Sequence, residues 1–243
     1  MTDINNAIRQ YHERHGFGSF APKAVLFDMD GVIYNSMPFH AIAWEKSMTE
    51  QGIHMTQADA YLYEGMRGVE TIKKLFKEQK GIIISDEESE YYYAIKSQYF
   101  ADQGYAPKMA GVEMLMRQLK EWDMTICVVT GSGQQSLLER LEGDFPGLLH
   151  RDLMVTSHDV DHGKPAPDPY LMGLEKCGVL PWEAIVVENA PMGVRAAAAA
   201  RIFTVAVNTG PLPDSMLWEA GASIVEHSMD DFRQHLLLWH QQM

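Results

Sequence analysis

The sequence predicts a doubly wound, Rossmann-like α/β fold with a helical domain inserted after the first strand. Short apolar runs that stop at turn residues alternate with helical stretches, which is typical of a parallel sheet with right-handed helical crossovers. One interval, 36–107, breaks this alternation and has mostly helical patterning. The chain has 243 residues, which corresponds to one or two domains at about 150 residues each.

The elements follow in chain order. A short surface helix is predicted from Asp3 to His15. Apolar runs of a length typical of strands buried on both faces are Ala24–Phe27, Thr125–Val129, Leu153–Val155, Ala184–Val187 and Phe203–Val207. The helices between the later strands are predicted at Gln134–Leu141, Pro169–Cys177 and Met192–Arg201.

The interval 36–107 is interpreted as a helical cap. It contains three helical patterns, at Phe39–Gln51, Val69–Gln79 and Glu87–Phe100. Prolines and glycine interrupt the pattern at 35–38 and 106–111, which predicts two hinges there. The remaining segments, 1–35 and 108–243, form the predicted α/β core.

Charge and composition exclude several classes of protein. The formal net charge is −13, and so acidic a surface repels nucleic-acid phosphates and anionic lipids. No stretch approaches the roughly 18 apolar residues of a membrane span, and the N-terminus lacks the apolar centre of a signal peptide. Cys127 and Cys177 are predicted to be free thiols that form no metal-ligand or redox pair, as in a reducing compartment. We therefore expect a cytoplasmic protein, a monomer or small homo-oligomer, that binds neither nucleic acid nor membrane.

Polar residues follow the predicted strands at the edge where open α/β sheets bind ligands. Acids, hydroxyls, a lysine and an amide meet there, although each would be a weak signal alone. They are Asp28 and Asp30 after the first strand, Thr130, Gly131 and Ser132 after the second, Lys164, and Glu188 and Asn189 after the fourth.

Together these residue types match the needs of phosphoryl transfer. A carboxylate that attacks phosphorus approaches an anion, and a divalent cation can bridge the two. A lysine and a hydroxyl can hold the other phosphoryl oxygens, and a second carboxylate can transfer protons. Asp28 and Asp30 are two residues apart, which places both side chains on one side of an extended segment.

Four segments resemble, in order, the motifs of the haloacid dehalogenase superfamily, and most closely its β-phosphoglucomutase-like branch with a helical cap. The resemblance extends from Lys23 to about Ser228. The segments are Phe27-Asp28-Met29-Asp30-Gly31-Val32, Val129-Thr130-Gly131-Ser132, Gly163-Lys164-Pro165-Ala166-Pro167-Asp168-Pro169-Tyr170 and Val187-Glu188-Asn189-Ala190-Pro191-Met192-Gly193.

The resemblance implies an aspartyl-phosphate mechanism. Asp28 is then the nucleophile and Asp30 the general acid and base. Mg²⁺ is held by the Asp28 side chain, the Asp30 main-chain carbonyl and Asn189, and Glu188 orients the metal site or Lys164. Thr130 and Lys164, with Gly131 and Ser132 beside them, bind the phosphoryl group.

The sequence departs from the mutase pattern at two places. Its fourth motif has Glu188-Asn189 instead of an acidic pair, which removes one negative charge. In the cap, Glu64 and Gly68 replace a lysine and an arginine, and Arg67 is a possible substitute for that arginine in substrate binding. We hypothesise that Glu64 reaches the metal on cap closure and restores the charge; the alternative is that it only caps a helix.

Two further cap residues, His40 and Lys96, resemble positions that couple cap closure to acid–base chemistry in the mutases. For each, packing is the alternative. The expected reaction is Mg²⁺-dependent hydrolysis of a small phosphorylated metabolite or of inorganic pyrophosphate. The alternatives are β-phosphoglucomutase-type isomerisation of a sugar phosphate and, in another class, an idle protein that binds phosphometabolites.

Overall fold

The centre of the protein is a six-stranded parallel sheet in the order β3-β2-β1-β4-β5-β6. The computed structural model describes residues 4–132 and 135–240. The strands are β1 (Ala24–Phe27), β2 (Thr125–Val129), β3 (Met154–Val155), β4 (Ala184–Glu188), β5 (Phe203–Val207) and β6 (Ile224–Glu226).

Helices cover both faces of this sheet and form the cap. None of the helices in the described part of the chain is long and apolar enough to cross a membrane. The helices are α1 (Ile4–His15), α2 (Met37–Glu50), α3 (Gln57–Leu62), α4 (Gly68–Lys80), α5 (Asp86–Ala101), α6 (Val112–Glu121), α7 (Gln135–Asp144), α8 (Asp168–Cys177), α9 (Pro191–Ala199), α10 (Asp214–Ala220) and α11 (Met229–His240).

Alternate residues of the central strands enter two separate cores. Val25 and Phe27 of β1 pack in a cluster with residues of α1, α6, α7 and α11. Ala24 and Leu26 face the opposite side, where α8 and α9 cover them. Because both faces are buried, these strands are apolar at every position instead of alternating. The predicted doubly wound α/β core is therefore confirmed.

Several elements were not predicted. The structure adds α3, α6, α10, β6 and α11. Strand β6 has three residues at the sheet edge, too short to produce a clear apolar run. Helix α6 does carry a readable signal, because its buried residues Val112, Leu115, Met116 and Leu119 follow the i, i+3, i+4, i+7 spacing of an amphipathic helix. Of the predicted helix Gln134–Leu141, Gln134 lies outside the described residues.

The cap has an apolar core of its own. Helices α2, α3 and α4 contribute buried residues such as Trp44, Ala60 and Ile72 to it, and the partly buried Tyr92 and Tyr93 of α5 pack against it. The two chain segments that join cap and core run side by side, since the Asn35 N–H donates to the Pro107 carbonyl at 2.9 Å. The two segments meet at the predicted hinges. The domain boundaries at 36 and 107 stay a prediction.

The two cysteines lie closer together than the sequence indicated. Both Cys127 of β2 and Cys177 of α8 are free thiols. A hydrogen bond between the two side chains raises the pKa of Cys127 and lowers the pKa of Cys177. The prediction of free thiols therefore holds, but they are neighbours across the interface of β2 and α8.

Helix α1 is fixed to the core through Tyr11. The Tyr11 ring is 3% exposed and packs edge-on against Phe203, with the ring centroids 5.5 Å apart. Its hydroxyl donates to the Arg201 carbonyl at 2.8 Å and to the Pro181 carbonyl at 3.3 Å. This one side chain therefore joins α1 to the segments before β4 and β5.

We predict that Tyr11→Ala lowers the free energy of unfolding by about 3–5 kcal/mol, the usual cost of removing a buried aromatic ring. Tyr11→Phe removes only the hydroxyl bonds and should cost about 1 kcal/mol. Urea unfolding measures both. Ile83→Ala, at a side chain that is 85% exposed, is the control and should change stability by less than about 0.5 kcal/mol. An equal, small effect of all three variants would show that α1 contributes nothing to stability.

Candidate active site

The register of three strands brings the predicted acids together. Phe27 of β1 pairs with Val128 of β2 on one side and with Val187 of β4 on the other. Asp28 and Glu188 are the next residues, at the same edge of the sheet. From β1 the chain continues to β2 and β3 on one side of the sheet, and it then crosses to β4 on the other side of β1. The edge between β1 and β4 is therefore the topological switch point at which such folds bind ligands.

A buried lysine links these two carboxylates. The Lys164 Nζ donates to Asp28 Oδ1 at 2.5 Å, to Glu188 Oε1 at 2.7 Å and to the Val129 carbonyl at 3.2 Å. Lys164 is 1% exposed, and burial of an ammonium group is costly unless it is paired and hydrogen-bonded. The two ion pairs therefore stabilise the charged lysine at the bottom of the site.

Both oxygens of Glu188 are engaged by the protein. Oε1 accepts from Lys164 and from the Tyr170 hydroxyl, the latter at 2.7 Å. Oε2 accepts from the main-chain N–H groups of Asn189 and Ala190 at 3.0 and 3.3 Å. These contacts agree with a role for Glu188 in orienting Lys164, and its predicted place at the metal site stays a prediction.

Tyr170 is a functional residue that sequence reasoning missed. It lies in the first turn of α8 and is fully buried. Its hydroxyl donates a hydrogen bond to Glu188 Oε1. The residue belongs to the third motif, but the motif alone predicted no contact for its side chain. A tyrosine among the apolar residues of a buried helix needs a partner for its hydroxyl, and that need was the available signal.

Asp30 is connected to the cap by a chain of hydrogen bonds. Asp30 Oδ1 accepts from the Ser36 hydroxyl at 2.6 Å and contacts His40 Nε2 at 3.1 Å. His40 Nδ1 contacts Lys96 Nζ at 2.5 Å. Since a charged lysine has no acceptor, His40 accepts at Nδ1 and donates from Nε2. The structure thus brings His40 and Lys96 together with the predicted acid–base group.

Aromatic rings surround the Lys96 ammonium. It lies over the rings of Trp44, Tyr93 and Phe100, with Nζ between 5.1 and 5.9 Å from their centroids. His40 stacks on Phe100 at 4.1 Å. Burial lowers the pKa of Lys96 from 10.5 to about 8, while burial and the Lys96 charge lower the pKa of His40.

The two aspartates of the first motif differ in acidity. Burial raises the pKa of Asp28 to about 7, although the Lys164 charge opposes this. Burial also opposes ionisation of Asp30, but His40, Ser36 and Lys96 together hold its pKa below the ordinary value. The flanking carboxylates of Asp28 and Glu188 overcome the effect of burial on Lys164 and raise its pKa.

Glu64 descends from the cap into this site. Asn189 Nδ2 donates to both carboxylate oxygens of Glu64, at 3.1 and 3.2 Å. Burial and the charges of Asp28, Glu188 and Asp30 raise the pKa of Glu64 well above its ordinary value. The Asn189 side chain can take this position only because residue 31 is glycine: a Cβ atom at Gly31 would lie 2.0 Å from Asn189 Nδ2.

The surroundings of Asn189 fit a divalent cation. Its Oδ1 is buried without a hydrogen-bond partner in the described part of the protein, and carboxamide oxygens are good ligands for Mg²⁺. Rotation of the amide by half a turn directs Oδ1 towards Glu64. Within residues 4–132 and 135–240, no three His, Cys, Asp or Glu side chains form a metal site by themselves.

Between cap and core lies a cavity of about 90 Å³. Asp28 and Asp30 line its core side and Glu64, His40 and Lys96 its cap side. Gly131 and Ser132 form part of the rim. Thr130 is buried and lines, with Lys164, a smaller adjoining crevice. Gly133, the next residue of this loop, lies outside the described residues.

Arg67 lies apart from the other predicted cap residues. Its guanidinium donates to the main-chain carbonyls of Ser157 and Val160 in the core. It lines the smaller crevice and not the cavity of Asp28 and Asp30. The predicted substrate contact of Arg67 therefore stays a prediction without a supporting contact in this conformation.

A parallel sheet with a buried lysine, paired acids and an amide at its switch point defines a phosphoryl-transfer enzyme of the capped α/β class. Comparison with known proteins assigns the family: residues 25–207 match the model for haloacid dehalogenase-like hydrolases. The chain belongs to this family, as its motifs predicted.

Its relatives include phosphatases and mutases. "Hexitol phosphatase A" of Escherichia coli is 28% identical over 86% of this chain and 92% of its own. "Beta-phosphoglucomutase" of Bacillus subtilis is 26% identical over 88% of this chain and 93% of its own. The solved structure "Putative beta-phosphoglucomutase from Bacteroides vulgatus" is 45% identical, with a TM-score of 0.91 over 95% of this chain and 94% of that one. The prediction of a phosphohydrolase or phosphotransferase is thus confirmed.

We predict that Lys96→Met stabilises the protein at neutral pH while it lowers turnover. Below pH 8 the lysine is charged in both states, so its burial destabilises the folded state. Between pH 8 and 10.5 the lysine loses its proton in the folded state but keeps it in the unfolded state. The stability of the wild type therefore rises with pH over this range.

Denaturant unfolding should therefore show a stability difference between Lys96→Met and wild type that narrows by on the order of 1–3 kcal/mol over this pH range. Lys77→Met, on the exposed side of α4, is the control and should give a constant difference. A constant difference for Lys96→Met as well would contradict the effect of burial.

Proposed function

We propose that the protein is a Mg²⁺-dependent phosphohydrolase that acts through a phosphorylated Asp28 on a small substrate, either a small phosphorylated metabolite or inorganic pyrophosphate. The observation that carries this proposal is the position of Glu64, which contacts Asn189 and lines the cavity of Asp28 and Asp30. The family assignment and the phosphatases among the relatives support hydrolysis in general.

Size favours a small substrate. The closed cavity measures about 90 Å³, whereas sites for drug-sized ligands measure about 300–1,000 Å³. The Glu64 carboxylate also occupies the cap side of the site, where it would repel a second phosphate that is not neutralised by a cation. A sugar bisphosphate therefore fits this conformation less well than pyrophosphate or a small organic phosphate.

The residues then divide the reaction between them. An Asp28 oxygen attacks phosphorus as the bond to the leaving group breaks, which gives an acyl phosphate on Asp28 and a leaving group that takes up a proton. The Asp30 carboxylate accepts a proton from the water that cleaves the acyl phosphate, and this proton is the one that Asp30 gives to the leaving group of the next turnover. Lys164 and Thr130 bind phosphoryl oxygens, and His40 and Lys96 hold the Asp30 carboxylate in place.

Mg²⁺ would be held by the Asp28 carboxylate, the Asp30 carbonyl, the Asn189 amide oxygen and Glu64. When bound, it neutralises charge between the nucleophile and the phosphoryl group. Glu188 fixes Lys164, as its four accepted hydrogen bonds indicate.

A mutase is the second candidate, and one observation favours it. The link from Lys96 through His40 to Asp30 joins cap closure to acid–base chemistry, as a reaction that returns the phosphoryl group to a sugar requires. The mutases among the relatives support this candidate. The two candidates share the phosphorylated Asp28 and differ in the acceptor.

A steady-state panel with Mg²⁺ separates these candidates. We expect phosphate release from pyrophosphate or a small organic phosphate, and no glucose 6-phosphate from β-glucose 1-phosphate primed with the 1,6-bisphosphate. Asp28→Asn should abolish turnover, because an amide cannot form the acyl phosphate. Asp161→Asn, at an exposed loop position, is the control. Activity retained by Asp28→Asn would overturn the mechanism, and isomerisation without phosphate release would establish the mutase.

We predict that Glu64→Gln raises the Mg²⁺ concentration for half-maximal activity by about 10- to 100-fold, the usual effect of losing a group that supports a metal site. The amide keeps the shape of the side chain and loses its charge. Glu70→Gln, on the exposed face of α4, is the control. Unchanged turnover and unchanged Mg²⁺ dependence of Glu64→Gln would contradict a role of Glu64 at the metal.

A further inference from the structure

We infer that Arg67 is a positioning residue that fastens the cap to the core loop leading to Lys164 and so holds Glu64 in the site. The inference deepens the proposed function, because it assigns the residue that keeps the small cavity closed. It replaces a substrate contact for Arg67 with a contact between two parts of the protein.

The first observation is a pair of hydrogen bonds across the domain boundary. Arg67 Nη2 donates to the Ser157 carbonyl at 3.3 Å and, more closely, to the Val160 carbonyl. Both carbonyls belong to the loop between β3 and Lys164. One cap side chain thereby reaches the segment that carries the phosphate-binding lysine.

The receiving loop is itself fixed. Asp159 Oδ2 accepts from the Thr156 main-chain N–H at 2.8 Å and from its hydroxyl at 2.6 Å. Asp159 Oδ1 accepts from Lys176 Nζ of α8 at 2.8 Å. Because these contacts fix the loop that carries the two carbonyls, the hydrogen bonds from Arg67 restrain the position of the cap.

The second observation is a close approach at Gly163, the residue before Lys164. A Cβ atom at position 163 would lie 2.9 Å from Arg67 Cγ, a distance that requires one of the two to move. The stem of Arg67 thus crosses the main chain at a position where only hydrogen fits. Two residues earlier in the cap, a Cβ at Gly65 would lie 3.2 Å from Lys164 Cδ.

Arg67 is well placed to control Glu64. It is the residue before α4, and its carbonyl accepts from the Thr71 N–H at 3.0 Å, so its main chain moves with that helix. Glu64 lies three residues earlier. On the other side of Glu64, Tyr61 packs against the core at Gly210, where a Cβ would lie 2.9 Å from the ring. Contacts with the core therefore flank Glu64 on both sides.

Backbone hydrogen exchange of residues 62–68, in the full-length protein with Mg²⁺ and no substrate, tests the inference. Arg67→Met should accelerate exchange there by about tenfold or more, since local opening no longer breaks the two hydrogen bonds. Exchange in α6 should be unchanged. For the best substrate of the panel, kcat should fall by about 10- to 100-fold with a smaller change in KM.

Gly163→Ala provides an independent test, because it displaces the Arg67 stem without altering the guanidinium. It should accelerate the same exchange, and the double variant should exchange no faster than Arg67→Met alone, as expected for two changes in one contact. Lys77→Met is the matched control in α4 and should resemble wild type. Arg67→Lys should fall between wild type and Arg67→Met, since an ammonium can make one of the bonds.

Unchanged exchange in both Arg67→Met and Gly163→Ala would overturn the inference. A large rise in KM with unchanged exchange would do so too, and would return Arg67 to substrate binding. The exchange measurement needs no substrate. Failure of the protein to hydrolyse any small phosphate would therefore refute the proposed function and leave the role of Arg67 to be decided separately.

Discussion

The ammonium group of Lys164 is buried between Asp28 and Glu188, and much of the site exists to keep it there. An unpaired charge in such a position would destabilise the fold by several kcal/mol. The pairing needs β1 and β4 in register, a loop that returns Lys164 to the sheet edge, and Tyr170 to fix the distal carboxylate. In the same geometry Lys164 holds one carboxylate oxygen of Asp28 and is itself oriented by Glu188. A nucleophile needs such an arrangement. Stability and chemistry therefore depend on the same contacts.

The charges of the site are unbalanced once the cap is closed. The four acids Asp28, Asp30, Glu64 and Glu188 outnumber the two buried lysines, Lys96 and Lys164. Repulsion among these acids contributes to the raised pKa values of Asp28 and Glu64. In the proposed function, a divalent cation beside the Asn189 amide would relieve this repulsion. Glu64 would then supply the negative charge that Asn189 lacks relative to the acidic pair of the mutase pattern. Such a cation site would be complete only while Glu64 contacts Asn189.

The core of this structure was accessible to sequence reasoning, and the cap only in part: the approach of Glu64, His40 and Lys96 to the site was suggested, and the contact of Arg67 was not. Strands such as Ala24–Phe27 are apolar at every position because both faces are buried, and Asp28 follows directly, so the position of the nucleophile could be read from the sequence. The contact of Tyr170 with Glu188 could not, because it forms through tertiary packing between α8 and the end of β4. Arg67 shows the same limit: its residue type and neighbours are visible in the sequence, but the direction of its side chain depends on how the cap lies on the core.

The cap touches the chemistry at three separate points. Lys96 acts through His40 on Asp30, Glu64 contacts Asn189 directly, and Arg67 binds the loop before Lys164. These points lie on the acid–base group, the candidate metal site and the phosphate-binding lysine. All three contacts come from one inserted domain, so opening of the cap breaks them together and leaves Asp28 exposed without its supporting groups. In the proposed mechanism, an acyl phosphate on Asp28 would have its complete set of partners only while the cap is closed, and release of product would require that these contacts break. The insertion after β1 would then make closure a condition of catalysis as well as a limit on substrate size.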